Sequence, residues 1–416
     1  MRRFLLLMLM GSGAVSFSAR GEVARTYPSS AVRNEVTLEN WDKGGEASHW
    51  AYLHPSEVFP AAIVRRDGEV LNLPEALRPE IGDLVLKKED GSSRTLLEFI
   101  NAGAVDGCIV LHQGKVVFEA YPAMASNDLH LLFSVSKAFV STALAILEDQ
   151  GRIDLQKPVE SYLPRLKASA WAGTRLRDIA DMASGMEGSE TGNDAYRNPA
   201  HKQFQLEATL GWQPRTAANL PAAVRQGDLP GFLGTIKRLR KPGEIWAYTS
   251  SNTAVLAEVM ERTTGKSLAN VISELIWSKM GAEHDALLLQ NERGYPVAHA
   301  GMVTTLRDLA RFGLLFTKSA GPAQRGVVSE KILHRILQEG RPKLLPKDHP
   351  PEMEPLTYQW DMVGAKEGEL AKGGWAGQLL YVNREKDVVV AYFGTNLTSE
   401  PKLEALPCRI IAKTFF

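Results

Sequence analysis

A serine and a lysine three residues apart are the first side chains in this sequence whose types and spacing can do chemistry. Ser134 and Lys137 lie in residues 130–151, HLLFSVSKAFVSTALAILEDQG. From 133 to 147 the stretch is apolar on nearly every face, broken by small hydroxyls and that one lysine. A helix apolar all round is a buried one, and Gly151 suits the left-handed position past its end. Ser134 then falls at the first turn, with Lys137 beside it on one face. A lysine held there loses hydration, so its pKa falls and it can act as a base. A serine hydroxyl is a weak nucleophile until a neighbouring base takes its proton. The start of the helix adds favourable potential for the oxyanion that attack creates. The plainer reading of the same residues is a core helix whose lysine snorkels to water. The spacing recurs at Ser399-Glu-Pro-Lys402. That copy is set aside: Pro401 lies inside it, no long buried helix follows, and it comes after the other motifs.

Two further groups follow in order. Residues 241–252 read KPGEIWAYTSSN. Pro242-Gly243 marks a turn, and Ser251 or Asn252 can cap the next helix, so Tyr248 sits on a loop just before a helix. A phenol beside a lysine can lose its proton and serve as general base and acid; alternatively it packs against the helix start. Residues 372–378 read KGGWAGQ and lead into a late strand. Glycines at a strand edge permit close approach to the backbone, where an N–H can form half of an oxyanion hole; the alternative is a glycine-rich turn. No Gly-x-Ser-x-Gly occurs, which excludes the nucleophile elbow of α/β-hydrolases. The nine histidines and two cysteines contain no His-x-His, His-Glu-x-x-His or Cys-x-x-Cys spacing, so no zinc site is indicated.

The elements that must position these residues come from the rest of the chain. Its 416 residues suffice for one large domain or two; 44% are hydrophobic and 23% charged, ordinary for a globular protein. Zero formal net charge gives no reason to expect nucleic acid or an anionic membrane as partner. Arg2 and Arg3 precede an apolar run, 4–10, and then small residues, a secretory signal pattern with cleavage near 18–21. The run is too short to span a bilayer and no cysteine lies nearby to carry a lipid, so a periplasmic or secreted protein with no stable membrane anchor is expected. Cys108 and Cys408 read as two buried free thiols; the alternative in an exported protein is that they pair. Residues 22–60, rich in Trp, Tyr and Pro, are expected to be irregular and to wrap the surface. A short helix is expected at 95–102. A hairpin follows, 107–112 and 115–121 joined by Gln113-Gly114. Helices are expected at 175–183, 252–264 and 267–280. Thr305 and Asp308 look like a capping box opening a helix through Leu315. Residues 186–230 show little periodicity and read as a long polar loop, a lid or substrate wall. Strands return at 378–382 and 388–393, and a helix closes the chain at 401–415. The simplest assembly is an α/β fold: one antiparallel sheet built from both ends of the chain, flanked by helices, with a helical lobe inserted. The implied division is a signal at 1–20 and one hydrolase domain at 21–416. Its sheet lobe covers about 60–155 and 290–416, its helical lobe about 156–289, and a ligand would sit in the cleft between lobes.

With the three motifs in this order, the chain resembles the serine β-lactamase superfamily, in its class C, penicillin-binding-protein and carboxylesterase branch, over roughly residues 100–397. Within that branch it looks most like the 6-aminohexanoate-dimer hydrolases and related carboxylesterases. The stretches that carry the likeness are HLLFSVSK, ILEDQGRIDLQKPVESYLP, SSNTAVLAEVMERTTG, TTLRDLARFG and GGWAGQLLYVNREKD, with the early segment 39–52. The resemblance implies Ser134 as nucleophile, Lys137 as its base partner and Tyr248 as proton shuttle. It implies backbone N–H groups of Ser134 and Trp375 as the oxyanion hole, with Lys372 and Gly374 in the third motif. Tyr196, Ser250 and His299 fall near substrate-contacting positions. No cofactor is required, since serine, lysine and tyrosine supply the proton transfers. Two departures matter. The second motif is Tyr-Thr-Ser where class C lactamases have Tyr-x-Asn, and Gly373 stands where a hydroxyl residue often binds the β-lactam carboxylate. Both point to ester or linear amide substrates of small size. The alternatives are a penicillin-binding D-Ala peptidase or class C-like lactamase, and a non-catalytic sensor that keeps the fold.

Overall fold

The expected hairpin forms the edge of the main sheet. In the computed structural model, which describes residues 30–87, 92–190, 194–347, 357–364, 366–395 and 405–416, the strands run in chain order as follows. β1 (Ala61–Val64), β2 (Val85–Lys87), β3 (Ser93–Thr95), β4 (Val105–His112), β5 (Lys115–Ala120) and β6 (His130–Leu131) precede the helical middle. β7 (Ala286–Leu289) and β8 (Met302–Thr304) follow it, and β9 (Met362–Gly364), β10 (Glu369–Gly374), β11 (Gln378–Asn383) and β12 (Val388–Gly394) close the chain. Gln113 and Gly114 turn the hairpin with φ of 50° and 73°. The main sheet is antiparallel throughout, in the order β5-β4-β12-β11-β10-β9. A sheet built from both ends of the chain is what the apolar runs imply. The single sheet expected is joined by a four-stranded one, β1-β7-β8-β6, and a β2-β3 pair.

Strand alternation explains the layers. On β4, Ile109 and Leu111 face the large core, with Val389 and Ala391 of β12 beside them. Cys108 and Val110 face the other side, where the C-terminal helix Ala405–Phe415 brings Cys408 and Ile411. Both cysteines are buried and free. The Ser136–Asp149 helix is buried from Ser136 through Leu147. Phe139 on it stacks on Phe312, with ring centroids 3.9 Å apart, tying it to the helix Leu306–Leu314. Among the described residues no helix is long and apolar enough to cross a membrane. The signal pattern at 1–20 and the Ser399–Lys402 copy lie outside the described residues.

Several boundaries differ from expectation. The helix expected at 267–280 is an α-helical turn and a half, Leu268–Ile272, followed by a π turn, Ser273–Trp277. Thr305 caps its helix by accepting from the Asp308 N–H at 3.1 Å. The Asp308 carboxylate accepts the Thr305 hydroxyl at 2.9 Å and the backbone N–H groups of Glu283 and His284. Two stretches read as irregular are ordered. The expected polar loop at 186–230 contains helices Lys202–Thr209, Ala222–Arg225 and Leu229–Gly234, with Leu206, Trp212, Val224, Phe232 and Leu233 buried. These helices are too short to show a period, and long-range bonds hold them: the Asn291 amide donates to the carbonyls of Thr209 and Gly227, 3.0 and 2.9 Å away. The segment before 60 does not merely wrap the surface. It forms the helix Gly45–Leu53 and sends Trp41 and Tyr52 into the core, because an aromatic ring there removes a large apolar area from water.

Candidate active site

β6 and β8 fix the turn that presents Ser134. Leu132 N–H donates to the Met302 carbonyl at 2.9 Å, and Met302 N–H donates to the Ser136 hydroxyl at 2.9 Å. Between them Phe133 adopts a left-handed backbone, φ 46°, which costs about 1–2 kcal/mol for a bulky residue. Its ring compensates: it packs against Tyr52 at 4.9 Å, Trp41 at 6.0 Å and Trp212 at 6.1 Å. Burying a phenylalanine ring contributes about 1.5–3 kcal/mol, with more for each well-placed aromatic pair, so the cluster outweighs the strain. Ser134 therefore lies in a 3-10 turn, Phe133–Val135, one step before the α-helix rather than inside it.

Lys137 is fully buried. Its ammonium donates to Ser134 Oγ at 3.0 Å and to the His299 carbonyl at 3.1 Å, and lies 4.8 Å from the centre of the Tyr248 ring. A second buried lysine meets the same phenol from the other side. Lys372, on β10, donates to Tyr248 Oη at 3.0 Å and to Asp361 Oδ1 at 2.5 Å. β10 can reach the nucleophile turn because Gly374 has no side chain; a Cβ there would stand 2.6 Å from the Leu132 carbonyl oxygen. The turn that follows is braced by Gln378, whose amide donates to the carbonyls of Trp375 and Gly394, 3.2 and 2.6 Å away.

The electrostatics assign the proton. Burial lowers the Lys137 pKa to about 8, against the attraction of Glu190 and with help from Lys372. Burial also lowers that of Lys372, opposed by Asp361. Desolvation pushes the Tyr248 phenol well above its usual value, the charges of Asp361 and Glu190 push it further, and its hydrogen bond with Ser134 acts the other way. The phenol is therefore held in its neutral form at rest, between Ser134 and Lys372. Lys137 is the group that can shed its proton near neutral pH.

Ser134 opens into a pocket of about 430 Å³. Trp41, Phe133 and Trp212 make its aromatic wall; Tyr196, His299 and Trp375 line it as well. Trp375 is half exposed, and its ring lies 5.8 Å from that of Tyr196. Two acids that the sequence reading did not single out complete it. Glu190 accepts the Tyr196 hydroxyl on one oxygen and the Ser250 N–H, at 2.9 Å, on the other. Glu207 accepts from Gln203 at 2.8 Å and from His299 Nε2 at 2.9 Å, both on Oε1. Its Oε2 and His299 Nδ1 are buried with no hydrogen-bond partner among the described residues. Tyr196 and His299 thus reach the pocket, while Ser250 is fully buried behind Glu190 and outside the lining. Trp41 had a signal in the early Trp-Asp segment. Glu207 had none visible while its helix was read as loop, and Asp361 had none at all. Among the described residues no cluster of His, Cys, Asp and Glu is built to hold a metal ion.

A beta-lactamase family model matches residues 102–410. The chain belongs to the beta-lactamase family. It is 31% identical over 382 residues to a 6-aminohexanoate-dimer hydrolase of Paenarthrobacter ureafaciens, covering 89% of this chain and 90% of that one. Among solved structures, one provisionally described as a 6-aminohexanoate-dimer hydrolase of Bacillus anthracis superposes with a TM-score of 0.78 at 25% identity, covering 92% of this chain and 95% of the other. EstCE1, a hydrolase with promiscuous acyltransferase activity, shares the fold at a TM-score of 0.57 and 16% identity, over 76% of this chain and 95% of its own. This beta-lactamase-family protein is a serine hydrolase acting on ester or amide bonds.

Proposed function

We propose that this hydrolase cleaves linear amide or ester bonds in small molecules that carry a cationic amine, through an acyl-enzyme on Ser134. One observation carries the reading: two buried lysines converge on one serine–tyrosine pair, with Lys137 Nζ 3.0 Å from Ser134 Oγ and Lys372 Nζ 3.0 Å from Tyr248 Oη. In its neutral form Lys137 takes the proton of Ser134 as Oγ attacks the substrate carbonyl carbon. The backbone N–H groups of Ser134 and Trp375 receive the oxyanion. Tyr248 passes its proton to the departing nitrogen or oxygen and is reprotonated from the ammonium of Lys137. In the second half water gives its proton along the same path, its oxygen bonds the acyl carbon, and the Ser134 ester bond breaks.

The amine preference comes from Glu207. A carboxylate buried with unmade hydrogen bonds is costly until a cation completes it, and this one faces the pocket beside His299. The dimer in the name of the Paenarthrobacter relative joins two 6-aminohexanoate units and so has one free amino and one free carboxyl end; the amino end fits that demand. The N-terminal signal pattern supports a periplasmic or secreted location, and zero net charge supports a small molecule rather than nucleic acid as partner. Hydrolysis of p-nitrophenyl butyrate and of 6-aminohexanoate dimer by the wild type and Ser134→Ala tests this reading. A loss of about a thousandfold or more in the variant is expected; unchanged turnover would overturn it.

A further inference from the structure

The geometry assigns to Asp361 a double task at the edge of β10: it positions Lys372 toward Tyr248, and it fills the anion site of that edge so that substrates with a carboxylate beside the scissile bond are refused. This builds on the hydrolase reading above. Asp361 Oδ1 accepts the Lys372 ammonium at 2.5 Å and Oδ2 accepts the Gly373 N–H at 3.0 Å. A buried ammonium and a strand-edge N–H pointing the same way form a ready receptor for a carboxylate. Here the chain supplies that carboxylate itself. Lys372 is wholly buried while the Asp361 side chain is 37% exposed, so of this ion pair it is the anion that meets solvent.

The approach to Asp361 is built at a cost. Tyr358 and Gln359, just before it, are both left-handed, φ 47° and 63°, a pairing that non-glycine residues adopt only when their surroundings force it. The forcing contacts are present. Tyr358 donates its hydroxyl to Glu148 Oε2 at 2.5 Å, Gln359 N–H donates to the Ala180 carbonyl at 3.1 Å, and its side-chain oxygen accepts from Thr253 at 2.9 Å. Trp360 is buried edge-on against Phe316, 5.2 Å away. Asp361 N–H then joins the Ala371 carbonyl at 3.0 Å and carries the β9–β10 ladder one residue further. A surface ion pair needs no such scaffold. Nothing stands between Asp361 and the strand: a Cβ built on Gly373 would find no atom closer than Asp361 Oδ2 at 3.7 Å.

The role reaches the base. Lys137 feels the negative charges of Glu190, Asp361 and Glu207 and the positive charge of Lys372, with the neutral Tyr248 ring over its ammonium. Removing the Asp361 charge leaves burial and the Lys372 charge less opposed, so neutral Lys137 forms at lower pH.

The test uses full-length Asp361→Asn and Asp361→Ala, p-nitrophenyl butyrate, and a fluorescent penicillin as carboxylate-bearing probe. In the alanine variant kcat is expected to fall about tenfold to a hundredfold with KM little changed, and to recover several-fold on adding formate, which can refill the vacated place. The acid limb of the pH profile moves to lower pH in both variants. Penicillin acylation of Ser134 rises at least tenfold. Should the alanine variant fail to fold, the asparagine variant carries the pH and acylation readouts. An unchanged pH limb together with unchanged acylation in folded Asp361→Asn, while the wild type turns over ester, would overturn this inference alone. A wild type inert toward ester and dimer, with acylation still raised in Asp361→Asn, would overturn the hydrolase reading and leave this one standing.

Discussion

Among the described residues two buried histidine–carboxylate pairs stand out, and they are finished to different degrees. Near the sheet end, Asp106 accepts His130 Nε2 at 3.1 Å and the Thr395 hydroxyl at 2.6 Å on Oδ2, with His49 Nε2 3.3 Å from Oδ1. His130 Nδ1 meets the Leu131 carbonyl at 2.9 Å. Every oxygen and both nitrogens of that inner pair are engaged. In the pocket, Glu207 and His299 make one bond to each other at 2.9 Å, and each keeps an atom without a partner among the described residues. Both pairs are nearly inaccessible, so burial does not separate them. What separates them is leftover hydrogen-bonding capacity. A completed buried network fixes architecture, whereas an incomplete one pays a standing penalty that a ligand can relieve.

Breaking the completed pair should have the largest effect. Asp106→Asn removes the charge that two histidines face, and losing one partner of a buried ion pair costs about 3–5 kcal/mol. A urea titration at pH 7 should show that loss, while kcat of the folded fraction stays near wild type. Its pH dependence follows a definite sign. Burial alone would raise the Asp106 pKa; the hydrogen bonds and charges of His130 and His49 reverse this and hold the carboxyl well below its usual range. The pair's stabilisation is therefore present above the unfolded carboxylate pKa, about 4, and fades as pH falls below it toward the folded value. The gap between wild type and Asp106→Asn should narrow in the same window.

The unfinished pair should respond in the opposite way. Glu207→Gln should lower kcat/KM for 6-aminohexanoate dimer about tenfold to a hundredfold, with a smaller loss on p-nitrophenyl butyrate, and leave the urea midpoint unchanged or slightly higher because an unsatisfied buried charge has gone. Equal losses on both substrates would remove the amine-recognition role. The smallest effect lies in the pH profile. Wild-type kcat/KM should climb with pH through an apparent pKa near about 8, the value to which burial brings Lys137. Glu207 holds that value up, so Glu207→Gln should shift the limb down by a few tenths of a unit, whereas Asp106→Asn should leave it in place.

How far each region could be read from sequence follows from where its determinants lie. The Ser134 helix was legible because an all-round apolar run between a polar loop and Gly151 is a local signal, and Ser-x-x-Lys rides on it. The hairpin at 105–120 and the late strands were legible for the same reason. The Lys202–Thr209 helix was not: eight residues with Gln203, Gln205 and Glu207 all facing inward carry no amphipathic stripe. Gln203 bonds Glu207, Gln205 bonds the Pro199 carbonyl, and Glu207 meets His299 from a distant part of the chain. Asp361 was illegible for a stronger reason. Its meaning depends on Lys372, Gly373 and two strained residues brought to it by the sheet register, and none of that appears in the string around 361. Tyr248 shows a third case: the motif singles out the residue, yet its protonation state depends on burial and on charges from other elements.

Trp41 adds a consequence of another sort. The family-matched unit begins at residue 102, yet Trp41 reaches the pocket from well before it, anchored by its indole N–H on the Trp212 carbonyl at 3.1 Å and packed face-on against Phe133. One wall of the chamber thus comes from a part of the chain that the family model does not span. A chain trimmed to the common unit would keep the serine and both lysines and lose the Trp41 wall of the pocket, against which the Phe133 turn is braced. Exchanging only the leading segment between relatives is then a route to new selectivity that leaves the chemistry alone.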